Sequence, residues 1–330
     1  MTTPEKNIQR IHRQSGVTMV ELMVSLAIGS FLIIGAVQIY NQSRQAFVIN
    51  ESIARVQETA QFAMDTIESD IRMASNWGRH SRGSAVEGRS LPTDANPAGL
   101  PAPATCGVTW AIDLGRPLEG ANNNYGLPCA ATGGAQANSD TVTVRRATMA
   151  PSEVPLQNGR LYLQTTRIQG ELFASNTIPS GFDPLNSETH DLRVNTYYVA
   201  QTSALVPGVP TLRRKTLASA GGAPVVVDQE VAPGVENMQL QFGVDVDGDN
   251  AVDRYVNPGD DILVQGSGTF IPGARVITAR IWLVVRSVDP EIGLNDQRDY
   301  EPGDVDLGVP NDNFRRLQVS KTILLRNARS

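Results

Sequence analysis

Two hydrophobic patterns follow one another along the first quarter of the chain. Residues 17–40, VTMVELMVSLAIGSFLIIGAVQIY, are apolar all round, and Glu21 and the weakly acidic Tyr40 are their only ionisable side chains. Past Tyr40 the residues Ile53, Val56, Ala60, Ala63, Ile67, Ile71 and Ala74 recur at steps of three or four. Glu51, Arg55, Glu58, Asp65, Glu68, Asp70 and Arg72 fill positions between them. The first pattern predicts a helix apolar on every side, the second an amphipathic helix with one face for a core. No proline falls between Pro4 and Pro92 and no glycine between Gly35 and Gly78. One helix of about 60 residues, roughly 90 Å from Val17 to near Asn76, is therefore expected, with Trp77-Gly78 as its stop.

From Ser139 onward alternation replaces the helical period. The predicted strands are Thr141–Arg146, Arg160–Thr165, Thr196–Thr202, Asn237–Val244, Ala274–Arg286 and Arg316–Leu325. Between helix and strands, residues 78–138 are rich in Gly, Ala, Pro, Asn and Ser. A long helix followed by antiparallel strands reads as α+β: an N-terminal α-helix packed on an antiparallel β-sheet head with large loop insertions. The divisions are 1–16, 17–40 (membrane half of the helix), 41–77 (amphipathic half), 78–138 (loops) and 139–330 (β-rich head).

The 330 residues carry a formal net charge of -6, 41% hydrophobic and 19% charged side chains. That is too apolar for a disordered chain and too mixed for a multi-span membrane protein. Lys6, Arg10 and Arg13 against Glu5 leave +2 on residues 1–16 and -8 on the remainder. A basic segment ahead of a helix long enough to cross a bilayer keeps residues 1–16 cytoplasmic and sends the rest across the membrane. Secretory signals place a small-residue cleavage site after the apolar run; here Ser15-Gly16 precedes it. Cleavage there removes the basic leader and keeps the hydrophobic helix. The two cysteines, Cys106 and Cys129, then sit in an oxidising compartment, where a disulfide is expected in preference to a reactive thiol, and no histidine stands near them in sequence. Closing that loop is worth on the order of 3 kcal/mol in the chain-entropy model.

The segment Gln14-Ser15-Gly16 followed by VTMVELMVSLAIGSFL resembles the type IV pilin and pseudopilin family. The resemblance implies that a prepilin peptidase cuts after Gly16 and methylates the new amine of Val17, which stands where phenylalanine is usual. It also implies that Glu21 meets the N-terminal amine of a neighbouring subunit during assembly. A carboxylate within a membrane helix costs about 2.5–3.5 kcal/mol at the bilayer centre, so it needs a partner; the simpler reading is a carboxylate snorkelling to the interface. Further along, VENMQLQFGVDVDGDNAVDRY, ARVITARIWLVVRS and RRLQVSKTILLRN resemble the PilW-type minor pilins. That implies a subunit that initiates type IV pilus assembly in a tip or priming complex, and thereby serves twitching motility and adhesion. The implied partners are other minor pilins, the major pilin, a PilY-type tip adhesin, the inner-membrane assembly platform and the prepilin peptidase. The implied location is the inner membrane with a periplasmic head, then the surface pilus. A J-type pseudopilin of type II secretion shares this plan, and a pilus-borne binding module is a further alternative.

The most chemically suggestive segment is Asp245-Val-Asp247-Gly-Asp249-Asn250-Ala251-Val-Asp253. Its alternating carboxylates match the start of an EF-hand-type loop, with the Ala251 carbonyl as a further oxygen and Asn250 in the place of glycine. Val256 occupies the twelfth position, where a bidentate acid belongs, and Asp260 or Asp261 would have to close the shell. The alternative is an Asp/Gly-rich hairpin turn with solvated charges. No cofactor is required by either reading; calcium is the one candidate. G-x-x-x-x-G-K, G-x-S-x-G, H-E-x-x-H and C-x-x-C are absent, so no enzyme and no catalytic residue is expected. His80 and His190, in polar sequence, are expected at the surface. The acidic balance argues against nucleic acid; the run Arg213-Arg214-Lys215 reads as a local basic cluster or, more simply, a solvated strand end.

Overall fold

The computed structural model describes residues 16–329; the leader expected at 1–16 lies outside these apart from Gly16. The chain divides into two compact units, Met1–Glu51 and Ser52–Ser330, and helix α1, Met19–Arg72, contributes to both. In the first unit α1 buries none of its large apolar side chains: Phe31, Leu32 and Ile33 are each about two-thirds exposed or more. In the second unit its buried positions are Val56, Ala60, Ala63, Met64, Ile67, Glu68, Asp70 and Ile71, the stripe that the period predicts. The helix stops four residues before Asn76. Ser75 takes a left-handed φ of 66° and Gly78 one of 83°. A Cβ on Gly78 would lie 2.6 Å from the side chains of His190 and Thr165, so the turn requires glycine.

The strands, in chain order, are β1 (Val86–Glu87), β2 (Leu118–Ala121), β3 (Thr141–Ala147), β4 (Tyr162–Thr165), β5 (Gly170–Phe173), β6 (Glu188–Ala200), β7 (Thr211–Ala220), β8 (Ala223–Pro233), β9 (Val235–Asp245), β10 (Arg254–Val256), β11 (Arg275–Arg286) and β12 (Arg316–Leu324). A short helix α2, Thr109–Ile112, precedes β2. One sheet of eight strands runs β1-β5-β4-β6-β3-β2, with β7 on β6 and β8 on β7; a second of four runs β10-β9-β11-β12. Pairing is antiparallel except between β1 and β5.

Residues 52–72 of α1 share one core with both sheets. Ala63, Ile67 and Ile71 pack with Val142, Val144, Tyr197, Val199 and Leu212 of the large sheet and Met238, Leu240, Ile281 and Leu283 of the small one. An apolar stripe alone would let a helix slide, and Asp70 removes that freedom. Its Oδ1 accepts from Arg146 Nε and Nη2 at 3.0 and 2.8 Å, and its Oδ2 from Asn195 Nδ2 at 2.6 Å and the Tyr197 hydroxyl at 2.5 Å. Every lone pair of a buried carboxylate is thereby used, which is what makes its burial tolerable. Burial, and then this negative neighbour, push the Tyr197 hydroxyl well above the usual tyrosine range.

The opposite face of the large sheet is covered by residues 78–138. Trp77, Trp110, Ile112 and Leu114 pack there against Leu161, Leu163, Leu192 and Val194. Cys106 and Cys129 are bonded to each other within this cover. Arg145, 2% exposed, clamps it to β3: Nε donates to the Trp110 carbonyl, Nη1 to that of Arg116 and Nη2 to Glu119, each at 2.7 Å. The loop-rich segment therefore acts as a third layer.

Four features depart from the sequence expectations. Strand β6 begins at Glu188 rather than Thr196, because its polar first half is paired on both edges, with β4 and β3. His190 consequently lies inside, 2% exposed, with Nδ1 2.9 Å from the Thr148 carbonyl, not at the surface. The hairpin β7–β8 has no alternation in its sequence, since Arg213 and Lys215 point inward. They are no solvated strand end: Arg213 pairs with Asp228 and Glu230 at 2.8 and 3.3 Å, and Lys215 with Asp228 at 2.7 Å.

Two stability outcomes follow from this packing. Asp70→Ala strands the half-buried Arg146 and removes the helix's register contacts, so the head is expected to lose about 3–5 kcal/mol in denaturant titration. The second concerns Asp140, which is fully buried and accepts the Asn123 and Leu240 N–H groups, each at 2.7 Å. Burial, against these hydrogen bonds and aided by Asp304, pushes its carboxyl up to about 7. A folded-state value above the unfolded one means that the native state binds the proton more tightly. This group's contribution to stability is therefore greatest at acid pH and falls as the pH rises from about 4 to 7. Asp140→Asn is expected to flatten that part of the stability–pH curve, read from melting temperatures at pH 4.5 and 7.5.

Candidate assembly terminus and acidic loop

Gly16 and Val17 precede α1 as exposed coil. Thr18 stands at the N-cap and Glu21 at the third helical position, the arrangement of a capping box. The Glu21 N–H donates to Thr18 Oγ1 at 3.3 Å, and the Thr18 N–H and hydroxyl both donate to Glu21 Oε2 at 3.4 Å. Thr18 was not singled out from sequence, although Thr-x-x-Glu before an apolar run is its signature. The carboxylate therefore sits at the positive end of the helix, where anions are stabilised, one turn from Val17. Beyond it, Ser25 and Ser30 return their hydroxyls to the Leu22 and Ala27 carbonyls at 2.9 and 2.8 Å. The stretch thus presents an apolar surface with its polar groups satisfied internally, as a lipid environment demands. Among the described residues one helix, α1, is long and apolar enough to cross a membrane.

The acidic loop joins β9 to β10. Asp245, Asp247 and Asp253 each bring a carboxylate oxygen within 4.8 Å of the others. Asp249 is not in that group; its Oδ1 accepts the Ala251 N–H at 2.7 Å. Asn250 takes a left-handed φ of 67°, as its place in the loop requires. The buried Asp245 has partners already. Gly248 and Asn250 donate their N–H groups to it at 2.6 and 3.1 Å, and the Arg275 guanidinium forks onto Oδ2 at 3.1 and 3.0 Å. Burial works against its charge, yet the Gly248 N–H and Arg275 hold this carboxyl below the usual aspartate range. Arg275 also reaches Asn250 Oδ1 at 3.0 Å. Asp247 and Asp253 remain exposed, each with one acceptor bond, from Asp249 N–H at 3.1 Å and Val246 N–H at 2.7 Å. The donor set is all oxygen, as a hard cation prefers, and Arg275 brings to it a charge that belongs to the chain.

With this geometry in hand, two family models match the chain. Residues 11–37 match the prokaryotic N-terminal methylation motif. Residues 196–327 match Type IV Pilus-assembly protein W. Over these stretches the chain is similar to PilW-type minor pilins. No curated protein and no solved structure matches it. The PilW match starts within β6 and takes in β7–β12, the acidic loop included, whereas the Cys106–Cys129 cover lies outside both matches. This PilW-like chain thus carries its family likeness at the apolar N-terminus and in the second half of the head.

Proposed function

We propose that the chain is a minor pilin that initiates type IV pilus assembly in a tip or priming complex, and so serves twitching motility and adhesion. What carries the reading is one combination: a methylation motif leading into a helix with an unburied apolar surface, on the same chain as a PilW-type match. On this reading a prepilin peptidase cleaves after Gly16 and methylates the Val17 amine. The head then waits in the periplasm on its inner-membrane anchor until the assembly platform extracts the helix into the growing fibre. There the apolar surface of residues 17–50 exchanges lipid for neighbouring helices, and Glu21 neutralises the amine of the next subunit. Other minor pilins, the major pilin and a PilY-type tip adhesin are the partners.

Deletion of the gene is expected to abolish sheared surface pili while extracellular enzyme secretion continues. The intact gene should restore pili, and a Gly16 substitution should not. A Cβ added at Gly16 meets nothing within 4 Å, so failure of that variant reports lost processing rather than misfolding. Normal pili with enzymes trapped in the periplasm would make the chain a secretion pseudopilin instead.

The convergence of three carboxylates favours a second proposal, calcium at the acidic loop, held by Asp245, Asp247, Asp253 and the Ala251 carbonyl. An ion there would supply charge neutralisation to Asp247 and Asp253, whose partners are single backbone N–H groups. Millimolar calcium is expected to raise the melting temperature of the parent and not that of Asp247→Ala. An unchanged parent would leave the loop as a hairpin closed by Arg275 alone.

A further inference from the structure

The basic run on β7 divides by strand alternation: Arg213 and Lys215 face the loop cover, and Arg214 faces α1. On that second face it joins Arg146 and Arg193 along a polar cleft of about 390 Å³ beside Ser69 and Asp70. Three guanidinium groups there meet one carboxylate, and Asp70 is fully engaged by Arg146, Asn195 and Tyr197. Arg146 and Arg193 are directly opposite each other on β3 and β6, a like-charge pairing that costs stability unless a counter-charge relieves it. Arg193 is exposed. Arg214 gives Nη2 to Gln229 at 2.9 Å and also lies against the Tyr197 hydroxyl, while its Nε is buried with no acceptor among the described residues. Asn195 commits its amide to Asp70, leaving its buried Oδ1 with no donor.

We propose that this cleft binds an acidic polypeptide segment, with a carboxylate against Arg193 and Arg214. Size chooses the ligand class: the cleft holds a side chain or two, and the net negative charge of the chain opposes a long polyanion beyond it. A neighbouring subunit as the source of the segment rests on the filament reading above; the binding itself does not.

The test uses the full chain in detergent and a fluorescent Gly/Ser decapeptide carrying two glutamates, with its glutamine counterpart and a 20-base-pair DNA duplex as competitors. The glutamate peptide is expected to bind at least tenfold more tightly than the glutamine one. Arg193→Glu and Arg214→Gln should each weaken it at least tenfold. Arg193 is at the surface with no acidic partner among the described residues, and a glutamate there faces Arg146, so its variant should melt no lower than the parent and decides the matter should Arg214→Gln misfold. Equal affinity for the two peptides, or binding indifferent to Arg193→Glu, would overturn the proposal. So would a duplex that displaces the peptide and itself depends on Arg193. Intact peptide binding by the purified chain, together with pili unaffected by deletion of its gene, would retire the filament reading and leave this site standing.

Discussion

The seating of residues 52–72 of α1 on the head, with Asp70 as its fixed point, is the constraint on which the rest of the head depends. Small residues at Ala60 and Ala63 let the helix approach closely, and Ile67 and Ile71 fill the space between the two sheets. Such packing is non-directional and would tolerate a shift along the axis. A buried carboxylate does not, because each oxygen must meet donors at fixed places. Those donors come from β3 and β6, so the helix is held in register with strands far along the chain. Glu68, two residues before Asp70 and so on a different side of the helix, adds ion pairs with Arg72 and with Lys321 of β12. Different sides of α1 are thus tied to the two sheets.

Most of the large sheet is covered on both faces. Its helix-facing side is apolar where α1 covers it and cationic beside the helix, and its other side is closed by residues 78–138 through Arg145 and the Trp110 indole, which donates to Thr196 at 2.9 Å. A sheet buried on both faces loses the inside–outside alternation that marks a half-exposed strand. It also has to pair any charge it buries, as Arg213, Lys215, Asp228 and Glu230 do.

The N-terminal part of α1 obeys a different solvent. Its large apolar side chains are exposed, and Thr18, Ser25 and Ser30 are satisfied by the helix itself. A helix built this way is at rest in lipid or among like helices. The chain thereby pairs a head that is complete in itself with a terminus that is complete only in company.

Helical content, the change from all-round to one-sided apolar character, the Cys106–Cys129 pair and the methylation motif were all determined by the sequence itself. Each is a local signal: a period of 3.6, a spacing, a cleavage context. Strands β3, β9, β11 and β12 were legible within a residue or two for the same reason. Of the candidate residues, the acidic loop was legible as a loop, yet nothing in its sequence pointed to Arg275, which arrives from β11 to pair with Asp245. Only the tertiary structure decided that hairpin β7–β8 exists, that His190 is inside, and that the arginines of three strands share one cleft. Register between distant segments sets those facts, because whether a charged side chain is buried or exposed depends on what the fold places opposite it.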